Sequence, residues 1–135
     1  MPTINHWGVL VTVVASQVLG FVWYSVAFGK AWAVGYRLDR DALDSTPTGA
    51  YIATLAGAAL YSYALAILIG LLEIEGVAAG IALGAMVWAG IVVPRYLLHA
   101  LFGKISVRSI AIDSGFDLIV SIVTGAILAA WLPYR

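Results

Sequence analysis

The run "GVAAGIALGAMVWAGIVV", residues 76–93, decides the fold of this chain. It holds no charged residue, and at about 1.5 Å of rise per residue a helix of this length nearly crosses the hydrocarbon of a bilayer. Charge returns directly after it in "PRYLLHALFGK", residues 94–104, with Arg95 and, one helical turn on, His99. Beyond Lys104, "IDSGFD" at 112–117 sets Asp113 and Asp117 four apart at the head of another apolar run. An arginine and two aspartates therefore stand where lipid is expected.

Composition places the whole chain in the same class. Its 135 residues are 63% hydrophobic and 10% charged, with a mean hydropathy of +1.01, whereas a soluble domain carries about 25% charge. The length allows one domain, residues 1–135. Zero net charge and the absence of a basic tract argue against nucleic acid as a partner and leave the lipid bilayer. There is no cysteine, which excludes thiol catalysis, disulfides and cysteine-bound metals.

Three more stretches are long and apolar enough to cross, so the expected spans are 7–28, 50–72, 76–102 and 109–132, an all-α polytopic four-helix bundle. The first resembles a cleaved leader at "VVAS", residues 13–16, but no Lys or Arg precedes it and the apolar run continues past that point, so it is expected as a retained span. Lys30, Arg37 and Arg40 lie in the first connection and Lys104 and Arg108 in the third. The other side carries Arg135, with Glu73 and Glu75 in the second turn. The positive-inside rule then puts both termini outside and the first and third connections in the cytoplasm of a bacterial inner membrane. Trp7, Trp131 and Tyr134 mark one interface, and Trp32, Tyr36 and Tyr51 the other.

The first connection, "KAWAVGYRLDRDALDSTPTGA" at 30–50, reads as a solvated loop; a short amphipathic turn over Asp39–Asp44 is the alternative. "AFGK" at 27–30 and "LFGK" at 101–104 are the sole hint of a duplication, and three matched residues carry little weight.

Counting back from Lys104, Arg95 lies roughly 13 Å deep and His99 about half that. Counting forward from Arg108, Asp117 and Asp113 lie at the same two depths. In a continuous α-helix Gly84, Trp88, Ile91, Arg95 and His99 share one face, which begins with Gly76, Gly80 and Gly84, a small-residue pattern for close helix packing. Asp113, Asp117, Ser121 and Thr124 form a polar stripe on the fourth helix. Thr12, Ser16, Gly20 and Trp23 or Tyr24 form an edge on the first, with Gln17 beside it, and Thr54, Tyr61 and Ser62 are candidates on the second. The expected intramembrane cluster is thus Arg95, His99, Asp113, Asp117 and Tyr24.

That cluster has a leading reading, a non-enzymatic structural role, and a proton-linked carrier as the alternative. In one, Arg95 pairs with Asp117 and His99 with Asp113, a buried latch that sets helix register, as in an accessory subunit of a membrane complex or a homo-oligomer. In the other, two acids compete for one strong cation, and a carboxyl takes and releases a proton in an oligomeric carrier or channel, with His99 as relay. Enzyme chemistry has weaker support. Asp113, Asp117 and His99 lack a metal-site spacing, no catalytic motif occurs, and Ser16, Ser114 and Ser121 read as interhelical hydrogen bonders. No metal and no cofactor is expected.

With these residues in hand, the chain resembles the family catalogued as domain of unknown function (DUF) 1761, small bacterial and fungal membrane proteins. The resemblance rests on Asn5 and Trp7, and on "LGFVWYSVAFGKAW" at 19–32 with Gly20, Trp23, Tyr24, Phe28, Gly29, Lys30 and Trp32. "WAGIVVP" at 88–94 and "AIDSGFDLI" at 111–119 complete it. It implies a four-helix membrane protein and supplies no activity, substrate or cofactor. The family commonly has an uncharged or weakly polar residue after the proline and a histidine near position 117, so Arg95 and Asp117 are departures from its pattern.

Overall fold

The computed structural model describes residues 3–131. Its helices run α1 (His6–Phe21), α2 (Gly29–Gly35), α3 (Arg40–Asp44), α4 (Thr48–Leu71), α5 (Val77–Val87), α6 (Val93–Gly103) and α7 (Val107–Ala130). A π-helical turn, Val22–Ala27, extends α1, and a second, Trp88–Val92, joins α5 to α6. Four helical stretches are long and apolar enough to cross a membrane: His6–Ala27, Thr48–Leu71, Val77–Gly103 and Val107–Ala130. All four expected spans are present with bounds within two residues, and the chain is an all-α, multi-pass membrane protein. Tyr134 and Arg135, expected as an interfacial ring and a lone outside charge, lie outside the described residues, as does Leu132.

Helix ends follow local chemistry. The Asn5 side chain caps α1 by accepting from the Trp7 and Gly8 amides at 3.1 Å each, and its amide group donates to the Trp131 carbonyl at 3.2 Å, tying the start of α1 to the end of α7. The turn between α4 and α5 needs left-handed backbone at Glu73 (φ 51) and Gly76 (φ 87), and Gly76 supplies the second at no steric cost. The first connection is not all loop: α3 forms over Arg40–Asp44, with Asp39 accepting from the Ala42 amide at 2.8 Å. An aspartate at that position satisfies an otherwise free helix donor, which stabilises the turn.

α7 is central and packs against α1, α4 and α5. Its closest partner is α5, where Gly80 faces Gly125 and Gly84 faces Ser121 so tightly that a Cβ on any of the three glycines would overlap a backbone carbonyl across the seam. Gly80 and Gly84 are packing residues of this chain's own interior. Gly76 is not part of that seam: it is the turn residue before α5, and a Cβ there would meet nothing within 4 Å.

The apolar core lies at one end of the bundle, where Val9, Leu65, Ala66, Ile69, Leu83, Leu128 and Ala129 are buried together. The other end is more open. Every residue from Tyr51 to Gly57 in α4 is exposed, while Ser62, Leu65, Ala66 and Ile69 further along the helix are buried. α4 therefore seals against α1 and α7 through its second half and stands clear in its first. The open end is also where the charged side chains gather.

Candidate functional site

Two wide turns set the geometry of this end. Proline lacks an amide hydrogen, and in an α-helix its ring collides with the carbonyl four residues back. Pro94 stands two residues beyond the π-turn Trp88–Val92, where a wider turn relieves that collision. A π-turn also inserts one residue into the helical count, a rotation of about 100° for everything after it. The face that begins with Gly84 and Trp88 consequently continues through Val92, Tyr96 and Ala100, all half-buried, while Arg95 and His99 are exposed.

The first wide turn acts on the N-terminal side. The Phe28 amide donates to the Trp23 carbonyl at 2.9 Å, and at Phe28 (φ −125, ψ 0) the chain leaves the axis of α1. The next residue is Gly29, where a Cβ would overlap the Tyr24 carbonyl. α2 then lies against α7: a Cβ on Gly35 would overlap the Ser109 hydroxyl, and Ser109 donates weakly to the carbonyls of Ala31 at 3.5 Å and Trp32 at 3.3 Å.

These turns deliver tyrosines to the two aspartates. Asp113 is buried at 7% exposure, and its carboxylate accepts from the Tyr24 hydroxyl at 2.7 Å and, by a short hydrogen bond, from Tyr36. Asp117, one turn further along α7, is half-buried and accepts from the Tyr96 hydroxyl at 2.7 Å. Aromatic rings fill the space around them. Tyr24 packs edge-on against Trp32 at 5.3 Å and Phe116 at 5.1 Å between centroids, and Trp32 lies 5.1 Å from Tyr36. Trp23 donates to the Ile112 carbonyl at 3.0 Å and packs at a tilt against Phe28, 4.6 Å between centroids. Trp88 donates to the Ser114 carbonyl at 2.7 Å.

The expected pairing of Arg95 with Asp117 and of His99 with Asp113 is corrected here. Among the described side chains no Lys, Arg or His nitrogen lies within ion-pair distance of Asp113 or Asp117. The depth estimate put Arg95 level with Asp117, and Tyr96 beside it does reach that level. The helix face was displaced by one residue at the π-turn. Tyr24 is joined to Asp113, whereas Arg95 and His99 are not joined to either acid.

Tyr36 lies between the first and second spans, and its phenol is held above the ordinary tyrosine range by burial and, next, by the hydrogen bond to Asp113. The Trp32 indole nitrogen is buried with no hydrogen-bond partner among the described residues. Of the remaining motif residues, Gly20 lies under the Phe116 ring, 3.5 Å from where its Cβ would be, while Trp7 and Lys30 are exposed. No group of three or more metal-ligating side chains occurs among the described residues. Two carboxylates with hydroxyl donors fit a proton or a small cation better than a transition metal.

Tyr36 and Tyr96 are the partners that sequence spacing missed. Pro94 was the available signal for Tyr96, because a proline deep in an apolar helix marks a break in its count. For Tyr36 the signal was the glycine pair at 29 and 35, which lets the segment between them lie flat on a neighbour.

Comparison with known proteins adds a family but no activity. Neither the curated proteins nor the solved structures hold a match to this chain. The pattern of one protein family, described as a protein of unknown function (DUF1761), matches residues 7–129, nearly the whole chain and both acid-bearing turns of α7. The chain belongs to the DUF1761 family.

Proposed function

We propose that this chain is an oligomeric, proton-linked carrier of a small solute, in which Asp113 and Asp117 take up and release the proton. One observation carries the reading: two carboxylates one turn apart in a membrane helix meet tyrosine hydroxyls and, among the described residues, no cation. An uncompensated carboxylate in a low-dielectric interior is costly, so a proton or small cation from outside the chain balances it. Tyrosine suits that exchange because a hydroxyl donates to a carboxylate and accepts from a carboxylic acid. Tyr36 extends from the membrane boundary to Asp113 and offers the proton a short approach.

The oligomer is part of the proposal. A chain of 135 residues has little room to enclose a solute path. The first half of α4 lacks cover, and Gly49, Ala53 and Gly57 recur on it at steps of four, with nothing within 4 Å of either glycine's Cβ position. Such a stripe suits close packing of a helix from a second copy. The cations Lys30, Arg37, Arg40, Lys104 and Arg108 favour a cytoplasmic position for this end, in a bacterial inner membrane with both termini outside.

A second reading, an accessory subunit of a membrane complex, is favoured by the way Asp113 ties α2 and the extension of α1 to α7, a cross-brace that a purely structural role would also need. An infrared pH titration in lipid, with Asp113→Asn and Asp117→Asn to assign bands, separates the two. A carboxyl that gains and loses its proton across neutral pH supports the carrier. Carboxylates that stay ionised throughout reject it and leave the accessory role.

A further inference from the structure

At the boundary where the third span ends, Arg37 and Lys104 line one groove of about 310 Å³ together with Gly35, Tyr36, Gly103 and Ile105. That volume is at the small end of the range for ligand sites. Arg37 (φ 56) and Lys104 (φ 51) both hold left-handed backbone. Each lies where a helix has just ended, α2 for Arg37 and α6 for Lys104, and the two turns meet across the groove. Neither side chain has a hydrogen-bond or ion-pair partner among the described residues.

The charge balance in the groove can be worked out. Exposed carbonyls at a helix C-terminus carry about half a negative charge. Among the lining groups alone, two helix ends therefore offset about one of the two positive charges and leave roughly one over; the Asp113 carboxylate stands behind Tyr36, whose hydroxyl donates to it. Exposed apolar residues flank the lining in the chain: Val34 is 77% exposed, Phe102 82% and Val107 75%. A cationic floor with an apolar surround at the membrane boundary matches a group that is anionic at its head and carried on hydrocarbon.

We propose that this groove binds a phosphate group, with Arg37 supplying planar paired donors and Lys104 a point charge. The surround favours a phospholipid headgroup as its source, and free phosphate shares the same chemistry. The inference rests on the groove alone and is independent of any proton-linked role for Asp113 and Asp117.

Native mass spectrometry of the detergent-solubilised protein, titrated with phosphatidylglycerol or with inorganic phosphate, tests it. The double variant Arg37→Gln/Lys104→Gln should lose about tenfold in affinity for the bound species. The double variant Lys30→Gln/Arg108→Gln, which removes the same charge outside the groove, should lose no more than about twofold. Saturable phosphatidylglycerol binding with that pattern identifies a lipid site, and inorganic phosphate binding with the same pattern identifies a soluble phosphate site. Equal losses in the two doubles would mean diffuse charge attraction and overturn the proposal, as would failure of both probes to bind the wild type. Thermal unfolding of both doubles checks that a lost site is not a lost fold.

Discussion

The seam between α5 and α7 allows a controlled test of how this bundle is held together. Replacing a helical glycine by alanine raises intrinsic helix propensity by about 1 kcal/mol wherever it is done. At Gly57 the new methyl would meet nothing within 4 Å of this chain, so in discs that hold a single copy, with no second chain on that face, Gly57→Ala reports that propensity alone. At Gly84 the methyl would overlap the Ser121 carbonyl oxygen and lie 2.7 Å from Ser121 C and 3.1 Å from Ile122 N. These are backbone atoms that no rotamer change can move, so the two helices must part by about 1 Å. At such a gap an atom pair forfeits a quarter to a half of its dispersion energy, and some 30 pairs at about 0.15 kcal/mol each lose about 1–2 kcal/mol in total. Where α7 is the helix that moves, the bond from the Tyr61 hydroxyl of α4 to the Ser121 hydroxyl, now 2.7 Å, is stretched as well. Gly84→Ala should therefore be less stable than Gly57→Ala by about 1–3 kcal/mol. Equilibrium unfolding of both variants in bilayer discs measures the difference, in which the propensity term cancels. Equal stabilities would refute the close seam.

Three further perturbations examine the acid cluster. Tyr96→Phe should destabilise by about 1–2 kcal/mol in the same assay, because Asp117 loses a donor, while Arg95→Leu should stay within about 0.5 kcal/mol; a loss of 3–5 kcal/mol for Arg95→Leu would instead signal a buried ion pair. Tyr36 holds its proton more tightly folded than unfolded, so its contribution to stability is intact below the ordinary tyrosine titration near pH 10 and fades as pH rises above it. Thermal unfolding against pH should accordingly fall less steeply in the alkaline range for Tyr36→Phe than for wild type, and identical slopes would count against the buried phenol. Gly29→Ala should push α2 off α7 and cost about 2–3 kcal/mol, with altered near-ultraviolet dichroism from Trp32 as its tyrosine neighbours move; an unchanged spectrum would show that the bend does not depend on glycine.

The four spans were legible because membrane insertion is decided by composition over some 20 residues, a property that survives any local irregularity. Depth was legible for the same reason, since rise along a helix changes little when one turn widens. Facing was not. It depends on the angle accumulated from the start of the helix, and the extra residue at Trp88–Val92 exchanges Arg95 for Tyr96 opposite Asp117. α2 escaped notice because its seven residues show no period of their own and are held by a single bend and by glycine clearance against α7. The tight use of Gly80 and Gly84 was readable from their spacing, but Gly76 repeats that spacing while serving as a turn, which only its backbone angle reveals.

The wide turn before Pro94 also makes the third span a helix of two phases. Such a defect cannot vanish while both ends are fixed, because the surplus residue has nowhere to go, but it can be carried along the axis by exchanging one hydrogen bond at a time. Carried past residue 96 toward Gly103, it would return positions 95 and 96 to the phase of Gly84 and Trp88. Arg95 would then face Asp117 and Tyr96 would face lipid, with neither end of the helix displaced. A tyrosine-held and an arginine-held acid would thus be two positions of one dislocation: deleting a residue before position 95, such as Gly90, would fix the first permanently, and deleting one after position 96, such as Leu101, the second.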